Sequence, residues 1–226
     1  MKCNKSCQLA YLTLVLMTIC SALAFASERI IFAFPTDGSH GSVPAGGLIS
    51  DAAGNLYGVT AAGGAYRNGA VFKLSFENGA WSETLLYSFK GGNDDGADPS
   101  SALLLGVAGN LYGTTAGGGP GNNGTVFKLA PDGRGGWTET VLHIFNGNDG
   151  SLPLLAPLVS DARGNLYGVT QGYCYHATCG NGTVFELSPQ ASGSWTFRVL
   201  HSFGHTALPV SGVIFDKSGN LYGTTS

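Results

Sequence analysis

The sequence predicts an all-β fold built from a repeated unit of four short strands, and three observations support this prediction. Glycine accounts for 36 of the 226 residues while aromatic residues make up 11%, a combination typical of many short strands joined by tight turns. No segment shows the 3.6-residue apolar period of an amphipathic helix. The string Gly-Asn-Leu-Tyr-Gly recurs every 55 residues, at Gly54, Gly109, Gly164 and Gly219. A period of this length indicates a repeat architecture.

Three further landmarks follow this string in each of the first three units. They are an Asn-Gly-x-Val-Phe-x-Leu string, a tryptophan and a closing phenylalanine. They start or lie at Asn68, Trp81 and Phe89, then at Asn123, Trp137 and Phe145, and then at Asn181, Trp195 and Phe203. The constant order indicates one repeated structural unit rather than an isolated short motif.

Each unit is predicted to contain four strands. In the first unit we place them at residues 47–52, 56–61, 70–76 and 81–89. Phe72, Leu74 and Phe76 alternate with polar residues, as expected for a strand with one apolar face. Asn78 and the glycine after it form a dipeptide typical of a hairpin turn between the third and fourth strands. Four strands per unit, stacked unit on unit, predict a β-propeller-like array of blades.

The predicted domain organisation follows from the repeat. We expect a signal peptide at residues 1–26 and a single propeller-like repeat domain at residues 27–226. This domain comprises an isolated fourth strand at 28–34, full blades at 46–89, 101–145 and 156–203, and a partial blade at 212–226. The partial blade contains only its first two strands. Either the repeat continues in a longer reading frame, which we favour, or the 28–34 strand completes a shortened fourth blade.

The N-terminus has the pattern of a secretory signal peptide. Lys2 and Lys5 precede an apolar run at residues 9–24, and an Ala-x-Ala pattern ends at Ala26. The apolar run is shorter than the roughly 20 residues that a membrane-spanning helix needs. We therefore favour cleavage after Ala26, which gives a secreted or cell-surface protein with no transmembrane span in the mature chain. An uncleaved membrane anchor and a lipid anchor on Cys20 are the alternatives.

Charge argues against one class of partner. Charged residues are 11% of the chain and the net charge is -3, so there is no basic footprint for nucleic acid. Because the chain is predicted to be exported and repetitive, with no convergent catalytic set, we expect an extracellular carbohydrate or protein as the partner.

Two cysteines lie beyond the predicted signal peptide. Cys174 and Cys179 are candidates for a disulfide in an oxidising compartment. Free thiols are one alternative. A metal site that also uses His176 is another, but two cysteines and one histidine form an incomplete ligand set. No metal site is therefore predicted.

The cysteines belong to the loop that breaks the repeat. Between residues 170 and 181 the third unit is three residues longer than the others, and it carries Tyr173, Tyr175 and His176. Loops that depart from a repeated scaffold are where binding specificity is built. These three residues are the ligand-binding candidates. The alternative is a structural loop pinned by the disulfide.

Two other sets of residues are candidate sites. Threonines that end the second strand of each unit are candidate channel-lining residues: Thr60, Thr115, Thr170 and Thr225. Acidic loops at 93–98 and 148–150 offer carboxylates for calcium, although Asp-Gly is also ordinary turn chemistry. We favour the turn interpretation and expect no cofactor.

The paired strings Gly-Asn-Leu-Tyr-Gly-Thr-Thr at residues 109–115 and Gly-Thr-Val-Phe-Lys-Leu at 124–129 resemble the bacterial GloVer tandem-repeat family. The resemblance covers residues 28–226. It implies an exported "choice-of-anchor" protein with a propeller-like β fold and, often, surface attachment. It supplies no catalytic residues. No sorting segment follows the last motif of this sequence, so the mode of anchoring is left open.

We favour an exported, non-enzymatic protein that binds carbohydrate or protein, because no catalytic set converges in the sequence. The alternative is a secreted hydrolase or lyase with its site at the central channel, which requires acids or histidines at one end of that channel. A third interpretation is a purely structural repeat, or a fragment that does not fold alone.

Overall fold

The computed structural model describes residues 28–35, 37–154, 156–172, 174–175, 178–179, 181–204 and 208–226. The chain divides into two compact units, Met1–Ile31 and Phe32–Ser226. Of the first unit only residues 28–31 are described, and they carry no assigned strand. The strands below all belong to the second unit.

The second unit consists of strands with short connections, and its described residues contain a single helical turn, of the 3-10 type, at Val107–Gly109. The strands in chain order are β1 (Ser42–Ser50), β2 (Leu56–Ala62), β3 (Ala70–Glu77), β4 (Ala80–Ser88), β5 (Gly96–Ala97), β6 (Leu104–Leu105), β7 (Leu111–Thr115), β8 (Gly117–Gly118), β9 (Thr125–Pro131), β10 (Trp137–Ile144), β11 (Val159–Ser160), β12 (Leu166–Thr170), β13 (Cys174–Tyr175), β14 (Thr178–Cys179), β15 (Gly182–Pro189), β16 (Trp195–Gly204), β17 (Ile214–Phe215) and β18 (Leu221–Tyr222).

Each of the first three repeats forms its own four-stranded antiparallel sheet. The strand orders are β1-β2-β3-β4, β6-β7-β9-β10 and β11-β12-β15-β16. Two-stranded sheets join β5 to β8, β13 to β14 and β17 to β18. The prediction of an all-β fold with four-stranded repeat units is therefore confirmed.

The same cross-strand pair lies at the centre of each four-stranded sheet. A glycine of the second strand is the direct partner of a phenylalanine of the third: Gly58 with Phe72, Gly113 with Phe127, and Gly168 with Phe185. The ring covers the glycine, since a β-carbon placed there would lie 2.5–2.6 Å from the ring Cζ atom. Any side chain at the glycine would displace a buried ring, and this explains why the motif requires Gly after Leu-Tyr.

Neighbouring sheets share apolar cores. One buried cluster contains residues of the first and second sheets, such as Val71, Phe89 and Phe127. Another contains residues of the second and third sheets, such as Phe145 and Phe185. Apolar burial of this kind is the main stabilising contribution to folding, so each sheet depends on the next one for its core.

The chain segment before β1 packs on the first sheet. Phe34 meets Phe72 edge-on, with ring centroids 5.0 Å apart, and Phe32 meets Phe34 at 5.2 Å. No strand is assigned to residues 32–35. The apolar side chains of this segment nevertheless cover the first sheet.

Candidate functional site

The turn between the first two strands is held by one aspartate. Oδ1 of Asp51 accepts hydrogen bonds from the backbone N–H groups of Ala53 and Asn55 at 2.9 and 3.0 Å. Its Oδ2 accepts from the Asn55 amide at 2.8 Å and from the Tyr57 hydroxyl at 2.9 Å. These donors hold the pKa of Asp51 below its ordinary value, with the Asn55 amide making the largest contribution. Burial, together with Asp51, raises the pKa of Tyr57 to about 12.

This Asp-Asn-Tyr clamp recurs in the third and fourth repeats. Asp161 accepts from Asn165 and Tyr167, and the same four bonds surround Asp216 at 2.8–3.2 Å. The repeated asparagine and tyrosine of the Gly-Asn-Leu-Tyr string therefore have a structural role in these turns.

The second repeat lacks this clamp. Gly106 stands where the others have aspartate, and the turn is a 3-10 turn in which Ala108 has a positive φ of 56°. A β-carbon on Gly106 would lie 2.6 Å from Cε2 of Tyr112. The ring of Tyr112 thus occupies the space that an aspartate side chain would need.

The candidate channel threonines lie in or after the second strand of each repeat. Thr115 and Thr170 end β7 and β12, Thr60 lies within β2, and Thr225 follows β18. Thr60, Thr115 and Thr170 are fully buried, whereas Thr225 in the incomplete fourth repeat is exposed. The Thr115 hydroxyl lies 2.8 Å from the Thr125 hydroxyl. Thr115 therefore belongs to a cross-strand polar pair. The place of the four threonines at a central channel stays a prediction.

The threonine pair has one exception. Thr170 pairs with Thr183 at 2.9 Å, but the partner position of Thr60 is Ala70. The buried Oγ1 of Thr60 consequently has no hydrogen-bond partner among the described residues.

The acidic loops close on internal donors. Asp95 accepts from the Tyr87 hydroxyl at 2.9 Å and from the backbone N–H of Lys90 at 2.7 Å. Asp149 lies 3.1 Å from Nε2 of His143 and accepts from the Asn146 backbone at 2.9 Å. These contacts favour the turn interpretation of both loops. Among the described residues no three His, Cys, Asp or Glu side chains gather as a metal site requires.

Two partly buried glutamates lie at equivalent positions, two residues after the repeated tryptophan. Glu83 pairs with His40 Nδ1 at 2.6 Å, and its side chain is only 2% exposed. Burial, with the negative charge of Asp95, raises the pKa of Glu139 from 4.5 to about 7, and Lys90 partly opposes this shift. In each glutamate Oε1 is buried without a hydrogen-bond partner. The sequence analysis missed this pair, although the shared Trp-x-Glu spacing could have revealed it.

The third repeat places an aromatic ring where the first two place glutamate. Phe197 stacks on His143 with ring centroids 3.6 Å apart and planes within 2°. Burial lowers the pKa of His143, and Asp149 partly opposes that shift. The neutral imidazole is consequently part of the packed interface between the second and third sheets.

The loop that breaks the repeat carries its own hairpin. β13 and β14 pair antiparallel, with Cys174 as the direct Cα partner of Cys179. In the second repeat the equivalent connection contributes β8, which pairs with β5 instead. Tyr173 and His176 lie outside the described residues. Of Cys174, Tyr175 and Cys179 only the backbone is described, so their assigned roles stay predictions.

In the described part of the chain, no helix is long and apolar enough to cross a membrane.

The fold and the repeated turns define the chain as an all-β tandem-repeat protein of four-stranded antiparallel units. Residues 18–226 match the Gloeobacter/Verrucomicrobia repeat, and the chain belongs to this family.

Comparisons beyond the family were made with curated proteins and with solved structures. A search of the curated proteins finds no match. A solved structure of a protein of unknown function from Dyadobacter fermentans DSM 18053 is similar, with 13% identity and a TM-score of 0.46. The match covers 79% of this chain and 54% of the other, so the chain spans about half the length of that protein.

Proposed function

We propose that this chain is an exported, non-enzymatic repeat protein that binds an extracellular carbohydrate or protein through the loop between β12 and β15. One observation carries the proposal. Across three sheets of matching strand order, this connection alone forms a separate hairpin, β13–β14, among the described residues. On a repeated scaffold, binding specificity falls to the loop that departs from it.

The finer architecture that we propose is a β-propeller-like array of blades. Three sheets with one strand order, and the recurrent packing of one sheet's last phenylalanine on the next sheet's third strand, support it. Stacked four-stranded units of this kind make up propeller blades. In such an array the loop between β12 and β15 lies at one end of its blade.

The hairpin backbone is compatible with a disulfide. Direct cross-strand partners in an antiparallel pair have Cα atoms about 4.5–5.5 Å apart, which lies within the range that a disulfide bridges. We propose that Cys174 and Cys179 form this bond after export and hold the loop for binding. Mass spectrometry of peptides from the secreted protein, with and without reduction, tests the bond.

Several carboxylates that an enzyme would need have structural partners. Asp51, Asp95, Asp149 and Asp161 each accept from turn backbone or from a ring donor. These contacts favour binding over the alternative of a hydrolase or lyase at the channel.

Export is tested by expression with the native N-terminus. We expect the mature protein in the periplasm, at the cell surface or in the medium, with Ser27 as its first residue. An N-terminal sequence that begins at Met1 in the membrane fraction would contradict the proposal.

Binding is tested with the mature protein on a glycan array and in pull-downs from cell-envelope extracts. We expect a ligand whose binding falls at least tenfold in the triple variant Tyr173→Ala, Tyr175→Ala, His176→Ala. Tyr66→Ala is the matched control, because Tyr66 is an exposed tyrosine in the equivalent connection of the first repeat. Equal losses in both variants, or no ligand in either assay, would count against the loop.

A further inference from the structure

Each complete repeat places a phenylalanine of its third strand against the last phenylalanine of the preceding closing string. Phe89 meets Phe127 at 5.0 Å and Phe145 meets Phe185 at 5.3 Å, both edge-on. Phe34 meets Phe72 in the same way. Edge-to-face pairs at this spacing add to the apolar burial of both rings.

The same rings fill a pocket in their own sheet. The floor of each pocket is the glycine of the second strand, and one wall is a leucine within, or directly before, the sheet's first strand. Leu48, Leu103 and Leu158 place a methyl carbon 2.7–3.0 Å from the β-carbon position of that glycine. Glycine, leucine and the preceding phenylalanine therefore form a repeated receptor for one phenylalanine ring.

The fourth repeat supplies the same receptor. Gly223 occupies the floor position, Val213 replaces the leucine, and Phe203 closes the preceding string. The β-carbon position of Gly223 lies 3.3 Å from Val213, and no aromatic ring of the described residues lies within 4 Å of it. A cleft of about 370 Å³ opens here, lined by Val169, Val184, His201, Phe203, Val213 and Gly223 among others.

The edge of β18 is also free. β18 pairs with β17 on one side, and no described strand pairs with its other side. Tyr222 is 56% exposed, whereas its equivalent Tyr57 is 6% exposed. A free edge beside an apolar cleft is the arrangement used for binding by strand addition.

We propose that this edge and cleft bind an added β-strand of the pattern Gly-Thr-Val-Phe-x-Leu, supplied by a further repeat of the same kind. The phenylalanine ring enters the cleft opposite Gly223, as Phe185 lies opposite Gly168. The valine lies opposite Thr224, as Val126 lies opposite Thr114. The backbone of the added strand pairs antiparallel with β18.

The occupant can be identified from the interface between repeats and from the strands that a second copy could offer. The site continues the interface that already joins the described repeats, with the same floor, the same wall type and the same aromatic neighbour. A second copy of this chain has no such strand to offer, because β3, β9 and β15 each have neighbours on both sides. The occupant is therefore a repeat strand from outside the described residues.

The first experiment measures fluorescence anisotropy of a labelled ten-residue peptide with the sequence of residues 181–190, added to the mature protein. We expect saturable binding. A peptide with Phe185→Ser should bind at least tenfold more weakly, whereas Glu186→Lys should bind equally, because the second repeat has Lys128 there. Equal binding of the serine peptide, or no saturable binding, would overturn the proposal.

Variants of the protein test the pocket itself. Gly223→Leu fills the cleft and Phe203→Ala removes its aromatic wall, so both should weaken peptide binding at least tenfold. Thermal melting followed by circular dichroism shows whether each variant is folded. We expect Gly223→Leu to fold, since Gly223 lies beyond the three complete sheets. A folded Gly223→Leu variant that binds the peptide normally would reject the cleft. Concentration-dependent dimers that vanish in this variant and exclude the peptide would assign the face to a second copy instead.

Register is tested by cross-linking, and this test succeeds even with weak binding. Thr224→Cys in the protein should form a disulfide with the Val184→Cys peptide and not with the Glu186→Cys peptide, whose cysteine would lie opposite Tyr222. The reverse preference would contradict the proposed alignment. Because none of these residues belongs to the β12–β15 loop, failure here leaves the ligand-binding proposal to its own tests.

Discussion

The first and second repeats share a strand order and a glycine–phenylalanine pair, yet they satisfy their polar groups differently. The first turn has Asp51 with four hydrogen bonds, and the second has Gly106 beneath a tyrosine ring. The second has a hydroxyl pair between Thr115 and Thr125, whereas Thr60 has no partner. The first repeat therefore has more hydrogen bonds at its turn, and the second has more at its threonine position. The apolar contacts are the same in both.

The two repeats differ in their polar pairs but share their apolar register. The apolar register therefore defines this repeat. A ring on a glycine recurs in all three sheets, and it survives the loss of the clamp at Gly106. The polar groups near it differ from one repeat to the next. Such differences change stability locally by amounts that matched substitutions can measure.

The largest expected effect comes from the threonine pair. Thr115→Val removes a buried hydroxyl that bonds to Thr125 and to the Gly117 carbonyl, and we expect a loss of about 1–3 kcal/mol in the free energy of unfolding. Thr60→Val removes a hydroxyl that has no partner, so it should be neutral or stabilising. Urea denaturation of both variants measures the difference. Equal losses would show that Thr60 has a partner after all.

The turn clamp should have a smaller effect. Asp51→Ala removes the acceptor of two backbone N–H groups and of the Tyr57 hydroxyl, at an expected cost of about 1 kcal/mol. The converse change, Gly106→Asp, should not stabilise the second repeat, because its β-carbon meets the Tyr112 ring. Thermal denaturation of the two variants checks this pair. A stabilised Gly106→Asp protein would mean that the Tyr112 ring moves aside at little energetic cost.

The smallest effect is a pH dependence at the glutamate between the first two sheets. The pKa of Glu139 is raised to about 7, so the folded state keeps a proton that the unfolded state loses above 4.5. Stability should therefore fall as pH rises from about 4.5 to 7. Glu139→Gln should match the wild type in acid and exceed it at pH 8 by about 0.5–1 kcal/mol, allowing for solvent screening.

A matched control separates this effect from general charge. Glu77→Gln changes an exposed carboxylate at the end of β3 and should leave the pH dependence as it is. Denaturant midpoints measured between pH 4 and pH 8 compare the three proteins. A wild type whose stability does not change across this range would refute the assignment to Glu139.

Much of the strand pattern was predictable from the sequence. Strands expected at residues 56–61 and 70–76 are observed at Leu56–Ala62 and Ala70–Glu77, because their periodic apolar residues and flanking turn residues are local signals. The first strand was placed at 47–52 but runs from Ser42–Ser50. Its extent depends on pairing with β2, including an irregular register between Ala45 and Ile49, which no local pattern records.

The sequence predicts less well which face of a strand a side chain lies on where the strand pairing changes register. Simple alternation along the fourth strand would put Leu85, Tyr87 and Phe89 on one face. The register shifts between Val71 and Phe72, whose partners are Tyr87 and Leu85, so one extra residue enters β4 and alternation fails across it. Phe76, expected on the apolar face, is 54% exposed because it lies at the hairpin end of β3.

The polar contacts of the candidate sites could not be read from the sequence. Thr115 and Thr125 meet only because β7 and β9 pair in one register. The charge of Asp95 reaches Glu139 only because the fold brings the loop before β5 near β10. Three-dimensional pairing creates these contacts. The Asp-Asn-Tyr clamp was easier to predict. Its aspartate, asparagine and tyrosine lie within seven residues, and the turn between them was recognisable from its residues.

The ring-on-glycine contact also bears on how such a chain can change its length. Every interface between the described sheets uses the same small set of residues, so a duplicated 55-residue segment arrives with its receptor and its ring already matched. Adding or removing a whole unit would therefore require no new kind of contact, because each repeat packs only against its neighbours.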